Sequence, residues 1–262
     1  MKVTLLGVGA SAGVPHIGGP DGTGDWGECD PLEPRNRRMR TSILVEQAGR
    51  ALLVDTGPDL REQLLTWRVA RVDAILFTHA HADHIAGLDE TRILNRIADR
   101  PLQTFATEVT LEELRRRFDY AFRPWTPPGF FRPVLEPCVI EPGQTINAAG
   151  IDIELFDQDH GFIRSLGLRI GAFGYSTDVV QLDDAAFDVL AGVDTWVVGC
   201  FQRGPRHTTH AHLPLALEWA ERLGARRTVL THMGPDMDFA WLRENLPAGV
   251  EPGYDGQVLE IG

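Results

Sequence analysis

Residues 78 to 84 read Thr78-His79-Ala80-His81-Ala82-Asp83-His84, which puts four ligand-type side chains within six positions. They directly follow the apolar run Ala74-Ile75-Leu76-Phe77, so the pattern predicts a turn at the end of a strand, with small alanines between the polar groups. Four such side chains cannot all be buried as neutral core groups, but from one turn they can converge on a point. Imidazole nitrogens with a carboxylate suit Zn(II), Mn(II) or Fe(II) rather than Ca(II) or Mg(II). His79 and His81, two apart, can grip one ion, while Asp83 and His84 can serve a second. Two ions need more ligands than this stretch holds, so the rest of the chain is expected to supply them.

Composition sets the outer bounds. The chain has 262 residues, 43% hydrophobic and 24% charged, a globular balance rather than a disordered or fibrous one. Apolar runs fall short of the roughly 20 residues that cross a bilayer. Met1-Lys2-Val3-Thr4-Leu5-Leu6-Gly7 is too short for a secretory leader and reads as a first strand. A cytoplasmic protein with no membrane partner is expected. Lys+Arg 25 against Asp+Glu 37 leaves a net charge of −12, which repels phosphate backbones and argues against a nucleic-acid partner. Cys29, Cys138 and Cys200 are far apart and form no Cys-x-x-Cys, which argues against a disulfide framework and an all-cysteine zinc site.

Short β-rich runs are read at residues 2–8, 42–46, 51–55, 73–78, 151–156, 166–170, 195–199 and 227–231. Asp59-Leu60-Arg61-Glu62 and Thr110-Leu111-Glu112-Glu113 read as capping boxes that open helices. Residues 184–191 and 214–223 are further helices, the second closed by Gly224. Residues 120–131, rich in proline and aromatics, are read as irregular. Neither a repeat nor a linker composition interrupts the chain, so residues 1–262 are expected to form a single α/β domain.

His79-x-His81-x-Asp83-His84, preceded by Leu53-Val54-Asp55-Thr56-Gly57, resembles the metallo-β-lactamase superfamily of binuclear hydrolases. The resemblance continues in order through Asp159-His160-Gly161, Tyr175-Ser176-Thr177-Asp178 and Leu230-Thr231-His232-Met233. It implies a four-layered αβ/βα sandwich with two divalent transition metal ions, Zn or Mn. His79, His81 and His160 would hold one ion, Asp83, His84 and His232 the other, and Asp178 would bridge them. Asp55 matches a position that orients ligands by hydrogen bonds. Such a site lowers the pKa of bound water toward about 7, so that a bridging hydroxide is available as nucleophile.

The opening Gly7-Val8-Gly9-Ala10-Ser11-Ala12-Gly13-Val14-Pro15, the run Arg35-Asn36-Arg37-Arg38-Met39-Arg40-Thr41-Ser42, and His212-Leu213 together look like the phosphodiesterase branch, with its PhnP-like and ribonuclease Z-like members. Carried over, His212 and Asp83 are catalytic, Asp83 from its place among the ligands. The imidazole stabilises or protonates the departing oxygen. His210 is the other candidate for that role. The arginine run is either an anion-recognition element near the site entrance or solvated surface. The PhnP-like structural zinc on three cysteines has no match here, because Gly24-Asp25-Trp26-Gly27-Glu28-Cys29-Asp30-Pro31 carries one cysteine. The long basic arm of the tRNA-processing enzymes is also unmatched. Residues 115–132 are instead a candidate cap over the pocket or a homodimer contact.

The expected function is a phosphodiesterase acting on a small phosphate ester, cyclic esters included, or on a nucleotide. The alternatives are a nuclease working at RNA or oligonucleotide ends, and a non-hydrolytic relative from cofactor (pyrroloquinoline quinone) biosynthesis that binds a small molecule. A mononuclear iron oxygenase would leave Asp83 and His232 with no metal to serve.

Overall fold

Every residue of Ala51-Leu52-Leu53-Val54 is buried, which a strand tolerates only when both its faces are covered. The arrangement that covers them is seen in a computed structural model describing residues 1–262. One sheet contains β1 (Lys2–Gly7), β2 (Ser42–Gln47), β3 (Arg50–Val54), β4 (Ala74–Leu76), β5 (Leu102–Ala106) and β6 (Leu135–Val139). The other contains β7 (Thr145–Ala148), β8 (Ile151–Asp159), β9 (Arg164–Ile170), β10 (Phe173–Ser176), β11 (Thr195–Gly199), β12 (Arg227–Thr231) and β13 (Val250–Pro252). A last strand, β14 (Val258–Glu260), crosses back and pairs antiparallel with β1, so that each sheet has seven strands.

Side-chain alternation divides the apolar runs between two cores. Leu52 and Val54 join Val3, Leu5 and Ile43 in a core shared with Ile153, Leu168 and Tyr175 of the second sheet. Ala51 and Leu53 turn the other way, toward Leu60, Leu94 and Leu111. Those three leucines belong to α1 (Leu60–Thr66), α3 (Thr91–Ala98) and α4 (Glu108–Arg117), which follows the short α2 (Ala82–Ile85) and α3 in the chain. In the second half lie α5 (Asp184–Leu190), α6 (Leu213–Leu223) and α7 (Phe239–Asn245), which bury Phe187, Trp219 and Leu242 against the second sheet. Helix, sheet, sheet and helix stack as the expected αβ/βα sandwich. No helix is long and apolar enough to cross a membrane.

Two expected caps differ from what is found. Asp59 precedes α1 without capping it, because its carboxylate is taken up by Arg40. The cap of α4 is Thr107, whose Oγ1 accepts from the Thr110 N–H at 3.3 Å, so Thr110 lies inside the first turn. Gly224 does close α6, in the left-handed region at φ 67°. Residues 120–131 contain one turn of 3-10 helix, Asp119–Phe122, followed by irregular chain in which Trp125 stacks on Phe130.

Parallel pairing of β3 with β4, of β10 with β11 and of β11 with β12 sends the C-terminal ends of these strands to one rim in each sheet. The segments after β3, β4, β8, β10 and β12 carry Asp55, His79 to His84, His160, Asp178 and His232.

Candidate metal centre

The seven side chains expected to act together do come together. His79, His81, His160 and Asp178 form one group, and Asp83, His84, Asp178 and His232 a second, with potential ligand atoms in each lying within 4.8 Å of one another. Asp178 belongs to both, and its two oxygens face different ways. Oδ1 is 3.2 Å from both His84 Nε2 and His232 Nε2. Oδ2 is 3.5 Å from His160 Nε2 and 3.8 Å from His79 Nε2. Asp83 Oδ2 lies 3.3 Å from His84 Nε2 and 3.5 Å from His232 Nε2. All are buried except His81, whose ring is exposed and whose Nδ1 is 3.1 Å from His160 Nε2.

Hydrogen bonds behind the cluster fix which nitrogen of each ring faces inward. Asp55 Oδ1 accepts from the Thr78 N–H and Oδ2 from the Thr78 hydroxyl, both at 2.8 Å. The same Oδ2 accepts from His84 Nδ1 at 2.8 Å, which leaves Nε2 as the nitrogen turned toward the cluster. With its hydroxyl proton committed to Asp55, Thr78 Oγ1 can accept from His79 Nδ1 at 3.1 Å. His160 Nδ1 donates to the Thr209 carbonyl at 2.7 Å. The expected orienting role of Asp55 thus has matching geometry, and Thr78 and Thr209 are further supports that the sequence reading missed. For Thr78 the signal was available, since it stands between the strand and the first histidine.

This donor set fits a divalent cation. The Nε2 atoms of His79 and His84 are buried without a hydrogen-bond partner. Lone pairs of His84 Nε2 and of carboxylate oxygens face one another at 3.2 to 3.3 Å, an arrangement that repels unless a cation or proton lies between. Burial pushes His84 down, yet Asp178, Asp55 and Asp83 outweigh it and hold the ring well above its ordinary range. Burial pushes the neighbouring His79 well below. Burial would raise Asp178, but His232 and His84 keep it well below the usual carboxylate range. A buried His/Asp cluster of this kind is compatible with divalent metal binding.

Asp55, Asp178 and His232 share a backbone feature, φ of 65°, 48° and 54°, in the left-handed region that non-glycine residues rarely adopt. Each sits one or two residues past its strand, where the chain must turn sharply to aim a side chain along the rim.

Of the two histidines considered for the catalytic imidazole, His210 is the one whose ring stacks against the cluster. His212 is the N-cap residue of α6, and Leu213 N–H donates to the Gln202 carbonyl. The ring laid against the cluster is that of His210, 4.7 Å from His160 and 4.8 Å from His232 between centroids. Its Nδ1 is 3.9 Å from Asp178 Oδ2, and burial together with His232 pushes it down to about 3. Thr209 explains the register: its carbonyl is pinned on His160, which directs the next residue inward.

The arginine run divides. Arg38 is buried and donates to the carbonyls of Gly234 and Met237 and to Asn36 Oδ1, at 3.2, 2.5 and 3.2 Å. Arg35 pairs with Glu33 at 2.7 Å and lies over the Phe239 ring. Arg40 pairs with Asp59 at 2.9 Å. The lone cysteine of the opening loop, Cys29, is buried 3.8 Å from Arg38 Nη1.

Comparison with known proteins agrees with this geometry. The family model described as "Beta-lactamase superfamily domain" matches residues 50–233, the segment from β3 to just past His232. The chain belongs to the metallo-β-lactamase superfamily. Within the superfamily, a crystal structure of a diphosphatase from the PhnP family superposes with a TM-score of 0.89 at 33% identity, covering 100% of this chain and 98% of that one. This places the chain in the phosphodiesterase branch. A ribonuclease Z of Mycobacterium sp. (strain KMS) is 27% identical, the match covering 87% of this chain and 92% of that protein. An octanoyltransferase of Porphyromonas gingivalis is 30% identical over 98% of this chain, which spans only 51% of that protein.

Proposed function

We propose that this protein is a binuclear metal-dependent hydrolase of small phosphate esters, a phosphoric diester hydrolase whose substrates include nucleotides and cyclic esters. The observation that carries the proposal is the divided carboxylate of Asp178, one oxygen toward His84 and His232 and the other toward His160 and His79. His79, His81 and His160 would hold one ion, and Asp83, His84 and His232 the second, with Asp178 shared. Divalent transition ions bound there, Zn(II) or Mn(II), supply Lewis acidity toward a phosphoryl oxygen and a nucleophile at neutral pH.

The chain's own groups do the rest. Asp55 and Thr78 lock the His84 and His79 rings, and the Thr209 carbonyl locks His160, so the ligand nitrogens are preorganised. His210 stands at the cluster with a neutral ring, suited to hold the departing oxygen by a hydrogen bond. The role first expected of His212 is assigned to His210, while Asp83 keeps its place among the ligands beside His232.

The diphosphatase relative supports phosphoryl chemistry. The ribonuclease Z relative favours a second reading, the same site used on RNA ends. The net charge of −12 weighs against it. Acyl transfer is not carried across from a protein of which this chain spans 51%.

The test is metal analysis coupled to turnover of bis(p-nitrophenyl) phosphate with Mn(II) or Zn(II). Close to two ions per chain are expected, with turnover lost in Asp178→Ala. Fewer than one ion per chain, or an active Asp178→Ala protein, would overturn the proposal.

A further inference from the structure

The rings of His79, His160 and His84 are each held from behind, by Thr78 Oγ1, the Thr209 carbonyl and Asp55. His81 has no such partner. Its ring is exposed, and its one contact of hydrogen-bond length is the 3.1 Å approach of Nδ1 to His160 Nε2, inside the cluster. With the side chain unsupported, only the backbone aims it. A peptide unit is planar, so the carbonyl of one residue and the N–H of the next turn together. Whatever holds the Ala80 carbonyl therefore orients the chain as it enters His81.

That carbonyl is held by Arg117, the last residue of α4 and 37 positions further along the chain, whose Nη1 donates to it at 2.8 Å. The turn is pinned at three carbonyls. Thr78 O accepts from the Leu166 N–H of β9 at 3.0 Å, and His81 O accepts from the His84 N–H at 3.0 Å. No backbone N–H reaches the carbonyls of His79 or Ala80, so the middle pin is a side chain alone. Leu111 and Leu114, both fully buried, seat α4 and so fix where its last turn stands. The three arginines that close the helix are used differently. Arg115 pairs with Glu108 and Arg116 with Glu113, both within the helix. Arg117 shares Glu113 through Nη2 at 2.9 Å and sends Nη1 across to the loop. A guanidinium suits this task, because its planar fork holds two acceptors in a fixed relation.

We propose that Arg117 is a positioning residue for the ion held by His79, His81 and His160, acting through the Ala80–His81 peptide without touching metal or substrate. The inference rests on the binuclear reading of the cluster. An outer partner of a ligating histidine is worth roughly 10- to 100-fold in metal affinity, and a partly exposed partner acting through the backbone belongs at the lower end. The effect should be confined to one ion, because Asp83 and His84 stand on α2 and His84 is held separately by Asp55.

Calorimetric titration of the metal-stripped full chain with Mn(II) counts the ions and resolves their affinities. Wild-type protein should take up close to two. Arg117→Met should weaken one ion by about tenfold and leave the other unchanged. Arg117→Gln, which keeps a polar surface, should show the same loss and covers the case in which Arg117→Met fails to fold. Arg117→Lys can still donate to the carbonyl and should recover most of the affinity. Arg116→Met also takes a partner from Glu113 but breaks no bond to the loop, so it should match wild type. In a His81→Ala background, Arg117→Met should change nothing further, which a general loosening of α4 would not reproduce. Unchanged affinities in both the Met and Gln variants, equal weakening of both ions, or a full additional loss in the His81→Ala background would overturn the proposal. Wild type holding fewer than one ion would overturn this role and the hydrolase reading together. Otherwise the two fail separately. Two ions bound regardless of Arg117 remove only the positioning role, and an Arg117-dependent ion in a protein that does not turn over bis(p-nitrophenyl) phosphate removes only the hydrolase reading.

Discussion

Asp55 and His84 form a completely buried pair, with His84 Nδ1 donating to Asp55 Oδ2 at 2.8 Å. The bond decides which imidazole nitrogen faces Asp83 and Asp178. Asp55→Asn can present an amide N–H to His84 and force the opposite tautomer. A loss of roughly 10- to 100-fold in metal affinity is expected, as for other outer partners of ligating histidines. Chelator competition on the two proteins measures it, and equal affinities would show that the pair does not govern the ligand.

Exchange of histidines in the 207–212 loop separates the two candidates. His210→Ala should keep its metal content and lose about 10²- to 10⁴-fold in turnover, the usual worth of a positioned imidazole. His212→Ala should turn over at a rate near wild type, because the ring against His160 and His232 is that of His210. The reverse pattern would return the role to His212.

Arg38 and Arg35 are three positions apart and should respond very differently to alanine. Arg38→Ala leaves the buried acceptors Gly234 O, Met237 O and Asn36 Oδ1 without their donor and opens a cavity, a destabilisation of about 3–5 kcal/mol. Arg35→Ala removes an exposed pair with Glu33 and should cost under about 1 kcal/mol. Urea unfolding reads both, and similar midpoints for the two variants would refute the distinction.

Asp255 adds a pH dependence. Burial pushes its carboxyl up to about 7, although it accepts from the Met39 and Val8 N–H groups. The folded state then holds a proton that the unfolded chain has released. The stabilisation is complete below the unfolded pKa near 4 and is lost as pH rises through 7, by on the order of 4 kcal/mol. Asp255→Asn cannot titrate. The stability of wild type relative to this variant should therefore decline between pH 4 and pH 7, and a constant difference in melting temperature over that window would rule the effect out.

Much of the architecture was legible in the sequence because function and fold share residues here. Four motifs that carry the candidate ligands, together with the Asp55 motif behind them, stand at strand ends, and the runs at 195–199 and 227–231 coincide with β11 and β12. What escaped lacks a local signal. β6 holds Pro137 and Cys138 at a sheet edge, and β14 is three residues long and defined only by its pairing with β1. The Asp59 capping box reads correctly as a pattern, but a partner 19 residues earlier takes the carboxylate. The register of the 207–212 loop depends on a hydrogen bond to His160, 49 residues away. Spacing can announce a cluster of histidines, but it cannot tell which ring a distant carbonyl will rotate inward.

The left-handed backbone at Asp55, Asp178 and His232 carries a consequence for how the protein can change. Each such residue holds roughly 1–3 kcal/mol of conformational strain, which glycine at the same place would relieve. Random mutation screened for heat resistance alone should therefore drift toward robust proteins that no longer work. Selection that keeps catalysis has to find its stability elsewhere, in loops and surface caps far from the rim.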